Sequence, residues 1–313
     1  MPIGNYIKVI GRGKEGARPL DRVQAADLFG QILDGAASDL EVGAFCVAMR
    51  IKGESTEEMA GFLDATHQRL RQIPRGVGAN HMPPIVIPSY NGARRLPGLV
   101  PLLALLLARE GFAVVIHGTP TESRRVFTAE VLQLLGINPC PPERAWGGAG
   151  VRYVPTEWLH TGLHQLLEVR RTIQLRNPAH SLVKLMNPCA ENCVLVSSYT
   201  HPEYAESMQA TLQHTGATAL LLRGTEGEAV ADVRRAPAMT SVHSGTVLHR
   251  YTAAEGAVAA PANLPAVCDA ETTARYIDDV LAQRLPIPQP IALQLERIAA
   301  LAQTSAQNQA KST

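Results

Sequence analysis

The sequence predicts an α/β fold with a mainly parallel central sheet flanked by helices. Two observations carry this. Short apolar runs, Ile85-Val86-Ile87, Phe112 to His117, Cys193 to Ser198 and Ala219 to Leu222, alternate with stretches of helical spacing, and strands separated by helices pair in parallel. Ahead of them, residues 21–73 read as helices. At 313 residues and 46% hydrophobic content, the chain can build one large domain, or one large and one small.

The elements follow in order. Residues 1–20 are basic, with Gly11-Arg12-Gly13-Lys14 at the centre, and read as a flexible arm or a poorly ordered terminus. Asp39 to Lys52 carries Leu40, Ala44, Val47 and Ala48 at helical spacing and stops at Gly53. Ser55-x-x-Glu58 is a capping box that opens the next helix, with Met59, Phe62 and Leu63 facing inward. Arg75 to Pro84 is a Gly/Pro-rich linker. After the first strand come a buried helix over Pro97 to Arg109, the second strand, and a helix from Arg125 to Leu135 ended by Gly136. Pro139 to Gly150 reads as irregular, Thr156 to Arg171 as helical, and Ala179 to Leu185 as another helix. Pro202 to Thr215 is a helix between the third and fourth strands. Ala238 to Tyr251 reads as two shorter strands, and residues 270–284 and 290–303 as helices.

Composition narrows the function. The longest apolar run, Leu99 to Ala108, is too short to span a bilayer, and Lys8, Arg12 and Lys14 interrupt any signal peptide, so the expected location is the cytoplasm. Five cysteines at irregular spacing fit reduced thiols rather than a zinc site. The net charge of +1 hides an asymmetry: residues 66–186 hold 14 Lys and Arg against 6 Asp and Glu, a net of +8, and 13 of the 14 are arginine. Arginine binds phosphate bidentately, which suits contact with a polyanion.

Ligands on parallel sheets sit at the carboxyl ends of the strands. The first tip, Pro88 to Arg95, has one glycine, Gly92, and two adjacent arginines, Arg94 and Arg95. A diphosphate cradle needs successive glycines for backbone access, so side-chain charge here points to gripping a longer anion. The second tip runs from His117 to Arg125 and the third from Arg223 to Glu228. In a parallel sheet they converge, with Arg94, Arg95, Arg124, Arg125 and Arg223 facing one cleft against Glu122, Glu226 and Glu228. A second basic cluster is Arg170, Arg171, Arg176, His180 and Lys184, the last two sharing a helical face. His160 and His164 are also four apart, but with no third ligand nearby they read as capping or surface histidines. The sequence has no nucleophile elbow, Walker A loop or dinucleotide fingerprint. Glu226-Gly227-Glu228 is the nearest approach to a cation site, and salt bridges to neighbouring arginines are its plainer reading.

At these residues the chain resembles the superfamily of anthranilate phosphoribosyltransferase and class II nucleoside phosphorylase. Glu41 to Phe45 and Arg50 to Glu58 are similar to its N-terminal helical signature. His117-Gly118, Ala129 to Leu132 and Leu135-Gly136 resemble the segment after its diphosphate loop, and His160, Arg170 and Asn187-Pro188 match further family positions. The resemblance implies a small helical domain, residues 1–80 completed by helices within about 156–190, and a large α/β domain, residues 81–155 and 191–313. It departs at the chemistry. The family's G-T-G-G-D-G loop is mostly lost around Asn91-Gly92-Ala93-Arg94, a lysine is replaced by Ile116, N-R-S by Thr119-Pro120-Thr121, and an adjacent D-E metal pair by Glu226-Gly227-Glu228.

Arg176-Asn177-Pro178-x-His180-Ser181-x-x-Lys184 and Arg223 to Glu228 are similar to motifs of the YbiB-type branch. That likeness implies a homodimer with basic grooves that bind single- or double-stranded nucleic acid without marked sequence preference. The expected binding residues are Arg94, Arg95, Arg124, Arg125, Arg170, Arg171, Arg176, His180, Lys184 and Arg223, with Arg12 and Lys14 as an arm. Asn91, Gly92, His117, Gly118, Thr119, Glu226 and Glu228 are then a vestigial sugar-phosphate site, with no catalytic residue, cofactor or metal. The alternative is a divergent transferase using phosphoribosyl diphosphate and magnesium, with Arg170 holding an acidic acceptor.

Overall fold

The computed structural model describes the chain except residues 75–81, 123, 145–147, 257–262 and 313, together with the side chains of Lys14 and residues 309–312. Most of the expected linker, Arg75 to Pro84, lies outside the described residues.

Five helices come first: α1 (Ile3–Ile10), α2 (Gly13–Gly16), α3 (Arg22–Leu33), α4 (Asp39–Lys52) and α5 (Thr56–His67). Capping boxes start three of them, Asp21 with Gln24, Ser38 with Glu41 and Ser55 with Glu58, so their first free N–H groups are satisfied locally. Then follow β1 (Ile85–Ser89), α6 (Val100–Arg109), β2 (Ala113–Gly118), α7 (Thr128–Leu134), β3 (Gly150–Pro155), α8 (Thr156–Leu159), α9 (Thr161–Ile173) and α10 (Ala179–Leu182). The chain ends with β4 (Val194–Tyr199), α11 (Pro202–His214), β5 (Ala219–Arg223), β6 (Met239–His243), β7 (Thr246–Tyr251), α12 (Ala270–Leu281) and α13 (Gln289–Ser312).

These elements form two compact units. One is Met1–Arg71 with Thr156–Pro188, the other Gln72–Pro155 with Cys189–Thr313. The first unit is helical. Its centre is Phe29, Phe45 and Phe62, with Phe29 stacked on Phe62 at 4.6 Å between ring centroids and Phe45 edge-on to both. α3 and α5 approach closely at Gly61, where a side chain would strike the carbonyl of Arg22 and the methyl of Ala25.

The second unit holds a seven-stranded sheet in the order β3-β2-β1-β4-β5-β6-β7. The first five strands in that order are parallel, and β6 and β7 are antiparallel. Ile85, Ile87, Val114, Ile116, Val194, Val196, Leu220 and Leu222 share one face, and α6, α7, α12 and α13 supply the rest of that core. The chain moves outward from β1 to β3, then returns to place β4 beside β1. That reversal makes a crevice at the carboxyl ends of the two strands, where ligands of open α/β sheets bind.

The structure corrects three expectations. Residues 1–20 are not a flexible arm: α1 buries Ile3, Tyr6 and Ile10 against the helical unit, and Arg12 and Lys14 sit at the start of α2. Gly150 to Pro155 is a strand, hidden in the sequence because its polar member, Arg152, is buried rather than facing water. The stretch Thr156 to Arg171 is two helices, broken at His160, whose Nδ1 accepts from Leu163 N at 3.2 Å and caps the second.

Candidate functional site

The crevice lies in the second unit. Three strand tips meet there through the backbone. Ala93 and Val126 exchange hydrogen bonds at 2.7 and 2.9 Å, and Thr121 Oγ1 donates to Tyr90 O at 2.8 Å, which fastens the loop after β2 to the loop after β1. Asn91 Nδ2 donates to Glu226 O at 3.1 Å, which joins the loop after β5.

The loop Tyr90 to Arg95 aims backbone N–H groups at two carboxylates of the same chain. Glu228 Oε1 accepts from Asn91 N at 2.5 Å and Gly92 N at 2.7 Å, and its Oε2 accepts from Ser89 Oγ at 2.5 Å. Glu226 Oε2 accepts from Arg94 N at 2.6 Å and Arg95 N at 3.1 Å. Glu228 is 3% exposed and makes no ion pair among the described residues, so N–H and O–H donors alone compensate its charge. The expected salt bridges from Glu226 and Glu228 to the arginines are therefore corrected: these carboxylates bind arginine backbone or no arginine at all. The loop has kept its backbone access to anions with a single glycine, Gly92 at φ 68.

A tight hairpin presents the two carboxylates. Thr225 N donates to Val230 O at 3.0 Å, Glu228 N to Thr225 O at 2.9 Å, and Ser198 Oγ to Gly227 O at 2.9 Å. Glu226 lies at φ 52 and Gly227 at φ 90, and a side chain on Gly227 would overlap the Asn91 amide. Beneath the loop, His117 is wholly buried, with Nδ1 2.7 Å from Tyr90 Oη and Nε2 without a hydrogen-bond partner. Burial holds its pKa down at about 3, so the ring is neutral and offers no positive charge to a phosphate. Tyr153 donates to Gly118 O at 3.2 Å, and burial, then the Glu228 charge, pushes its phenol up to about 12.

Residues 5–69 match a family described as glycosyl transferase family, helical bundle domain. Over 303 residues the chain is 38% identical to the uncharacterized protein YbiB of Escherichia coli, spanning 94% of this chain and 92% of that one. It is 28% identical to the anthranilate phosphoribosyltransferase of Symbiobacterium thermophilum over 78% of this chain and 71% of that one. The chain belongs to the anthranilate phosphoribosyltransferase superfamily. The fold agrees: the crystal structure of the Thermus thermophilus anthranilate phosphoribosyltransferase matches with a TM-score of 0.71 at 22% identity, over 98% of this chain and 89% of that one.

Within this member of the superfamily, the predicted residues divide by environment. Arg94, Arg95, Arg124 and Arg223 are exposed at the carboxyl ends of the parallel strands and make no side-chain ion pair among the described residues. Arg125 turns inward instead, with Nε 3.2 Å from Glu122 and Nη1 3.3 Å from Gly92 O. Thr119 and Gly118 are buried. In the helical unit Arg171 is exposed and pairs with Glu168 at 2.6 Å, while Arg170 and Arg176 are half-buried. His180 and Lys184 are buried, which does not suit their expected contact with nucleic acid, and α10 ends at Leu182, short of Lys184. Burial, then Arg176, lowers the His180 pKa to about 3, so it too is neutral. Arg12 is exposed, and the side chain of Lys14 lies outside the described residues.

Among the described residues no group of three or more His, Cys, Asp or Glu is placed to hold a metal, and the Glu226 and Glu228 oxygens accept from N–H and O–H donors. No helix among the described residues is long and apolar enough to cross a membrane. The sequence marks Arg223 to Glu228 and Pro88 to Arg95 as strand tips, but not the hairpin in the first or its union with the second. The available signal was two acidic residues flanking a glycine, opposite a loop whose N–H groups had no assigned partners.

Proposed function

We propose that this chain is a sequence-nonspecific nucleic-acid-binding protein that works as a homodimer and has given up phosphoribosyl transfer. One observation carries the reading. At the crevice the guanidiniums of Arg94, Arg95, Arg124 and Arg223 face solvent, whereas the acidic side chains that would neutralise them, Glu226 and Glu228, bind backbone. The guanidiniums are thus not tied up by these two carboxylates and are left for a ligand to meet. Clustered arginines with no buried partner bind phosphate backbones by releasing counterions, on single or double strands alike. The low aromatic content, 4%, leaves little for base stacking.

The dimer rests on α4. Leu40, Val47 and Ile51 stand 84%, 41% and 60% exposed at spacings of seven and four, a continuous apolar stripe that a second copy would cover.

The test is fluorescence anisotropy with labelled single- and double-stranded oligonucleotides across a salt series, with phosphoribosyl diphosphate and magnesium as competitor. Binding that falls steeply with salt, is similar for both forms and resists the competitor is expected. Displacement by the competitor, or no oligonucleotide binding, would instead favour the phosphoribosyltransferase reading suggested by the names of the relatives.

A further inference from the structure

We propose that the outer edge of β7 receives an acidic extended segment of another protein, which adds a strand to the seven-stranded sheet. The inference is independent of the nucleic-acid reading, and the edge lies four positions along the sheet from β1.

β7 is the last strand of the sheet, paired to β6 on one side and to no described residue on the other. Every second residue of such a strand turns its N–H and C=O outward, and a row of these groups is a template for another strand. Thr246, Leu248, His249 and Arg250 are exposed along it.

Three guanidiniums surround the carboxyl end of this edge, and each is held by a neutral group. Arg250 Nη1 donates to Gln209 Oε1 at 2.9 Å, Arg235 Nε donates to Ala254 O at 2.7 Å, and Arg297 lies 3.6 Å from the centre of the Tyr251 ring. Among the described residues none of the three pairs with a carboxylate. Arg250 and Tyr251 are successive, so their side chains leave opposite faces of the sheet, one toward α11 and the other toward α13. A strand laid along β7 alternates in the same way. Two adjacent acidic residues in it would meet Arg250 on one face and Arg297 on the other. A carboxylate binds a guanidinium more strongly than a neutral amide does.

Charge selects the occupant. An arginine on an edge strand keeps like strands apart. A second copy of β7 would bring two clusters of guanidiniums together, and the register shift at Ser241 and Val242 twists the edge away from a flat match. A neutral or basic segment gains nothing from the three arginines. An acidic one satisfies the ladder and the charges together, with main-chain bonds giving affinity and side chains giving specificity.

The test uses the full chain and a labelled short peptide of threonine and valine with two adjacent glutamates. Fluorescence anisotropy reads affinity, and the amide NMR shifts of residues 246–251 report the place of binding. Two control peptides change one feature each. One carries glutamine for both glutamates; the other carries proline at alternate positions, which keeps the charge and removes ladder donors. The acidic peptide is expected to bind at least about tenfold more tightly than either control and to shift those amides. Arg250→Glu, at an exposed side chain, should weaken its binding at least about tenfold and gain affinity for the same peptide carrying lysines. Equal binding of the acidic and glutamine peptides, an equally good proline peptide, or no binding would overturn the proposal. So would an oligonucleotide that shifts these amides and displaces the peptide, because the edge would then belong to nucleic acid. Concentration-dependent shifts without peptide would overturn it too, by marking a second copy of this chain as the occupant. Selective acidic-peptide binding by a protein that never binds oligonucleotides would uphold this inference while sinking the nucleic-acid reading.

Discussion

His117 makes the second unit sensitive to acid by a calculable amount. Its ring is buried and neutral, with a folded-state pKa of about 3 set by burial, against an unfolded value near 6.5. Below pH 6.5 the unfolded chain takes up a proton that the folded chain refuses, so stability falls as the pH falls. Above that value the group contributes no pH dependence. At about pH 5 the unfolded ring is mostly protonated and the folded ring still neutral, and the linkage integral gives a loss of about 2 kcal/mol relative to neutral pH. His117→Asn keeps a polar atom near Nδ1 for the Tyr90 hydroxyl but cannot titrate. It will cost stability at every pH through lost packing, yet its curve should be flatter. Urea unfolding at about pH 7.5 and about pH 5, for wild type and variant, isolates the difference because all other groups are shared. Parallel curves would refute the argument and mean that the buried ring accepts its proton in the fold.

Arg94→Gln with Arg95→Gln should flatten the salt dependence of oligonucleotide binding by about two units of slope on every sequence, measured by anisotropy. His180→Asn, at a buried neutral ring, should leave the slope unchanged. Leu40→Glu with Ile51→Glu on α4 should yield monomers in analytical ultracentrifugation, and a persisting dimer would place the contact elsewhere. Gly227→Ala should lose at least about 1 kcal/mol in thermal unfolding, because a left-handed backbone disfavours a Cβ and the Asn91 amide occupies its space.

The layered fold was readable because its periodicities are clean. Ile85 to Ile87 and Ala219 to Leu222 are buried on both faces and stand out as apolar runs, and Ser55-x-x-Glu58 announces a helix by local hydrogen bonding alone. Gly150 to Pro155 was hidden because Arg152 is polar yet buried beside Cys140 and Cys189, and burial of a charge is set by tertiary neighbours rather than by alternation. The α1 helix was hidden behind basic residues that face outward while Ile3, Tyr6 and Ile10 face in. At the crevice, sequence reasoning could weigh side chains but not backbone. The partners of Glu228 are N–H groups 136 and 137 positions away, and a backbone donor leaves no letter in a sequence. The same limit misplaced His180 and Lys184, whose spacing suits a helical face that the short α10 does not extend far enough to provide.

The pairing of two carboxylates with two N–H pairs also bears on how the chain can change over generations. Losing Glu226 alone would leave the inner pair still filled by Glu228, and losing Glu228 alone would leave buried donors stranded beneath a hairpin that Glu226 still pins. Neither single step empties the loop, and the second is penalised in folding before any ligand can compensate. A lineage that has acquired this hairpin is therefore expected to lose Glu226 before Glu228, because solvent can meet the outer N–H pair, Arg94 and Arg95, but not the inner one, Asn91 and Gly92.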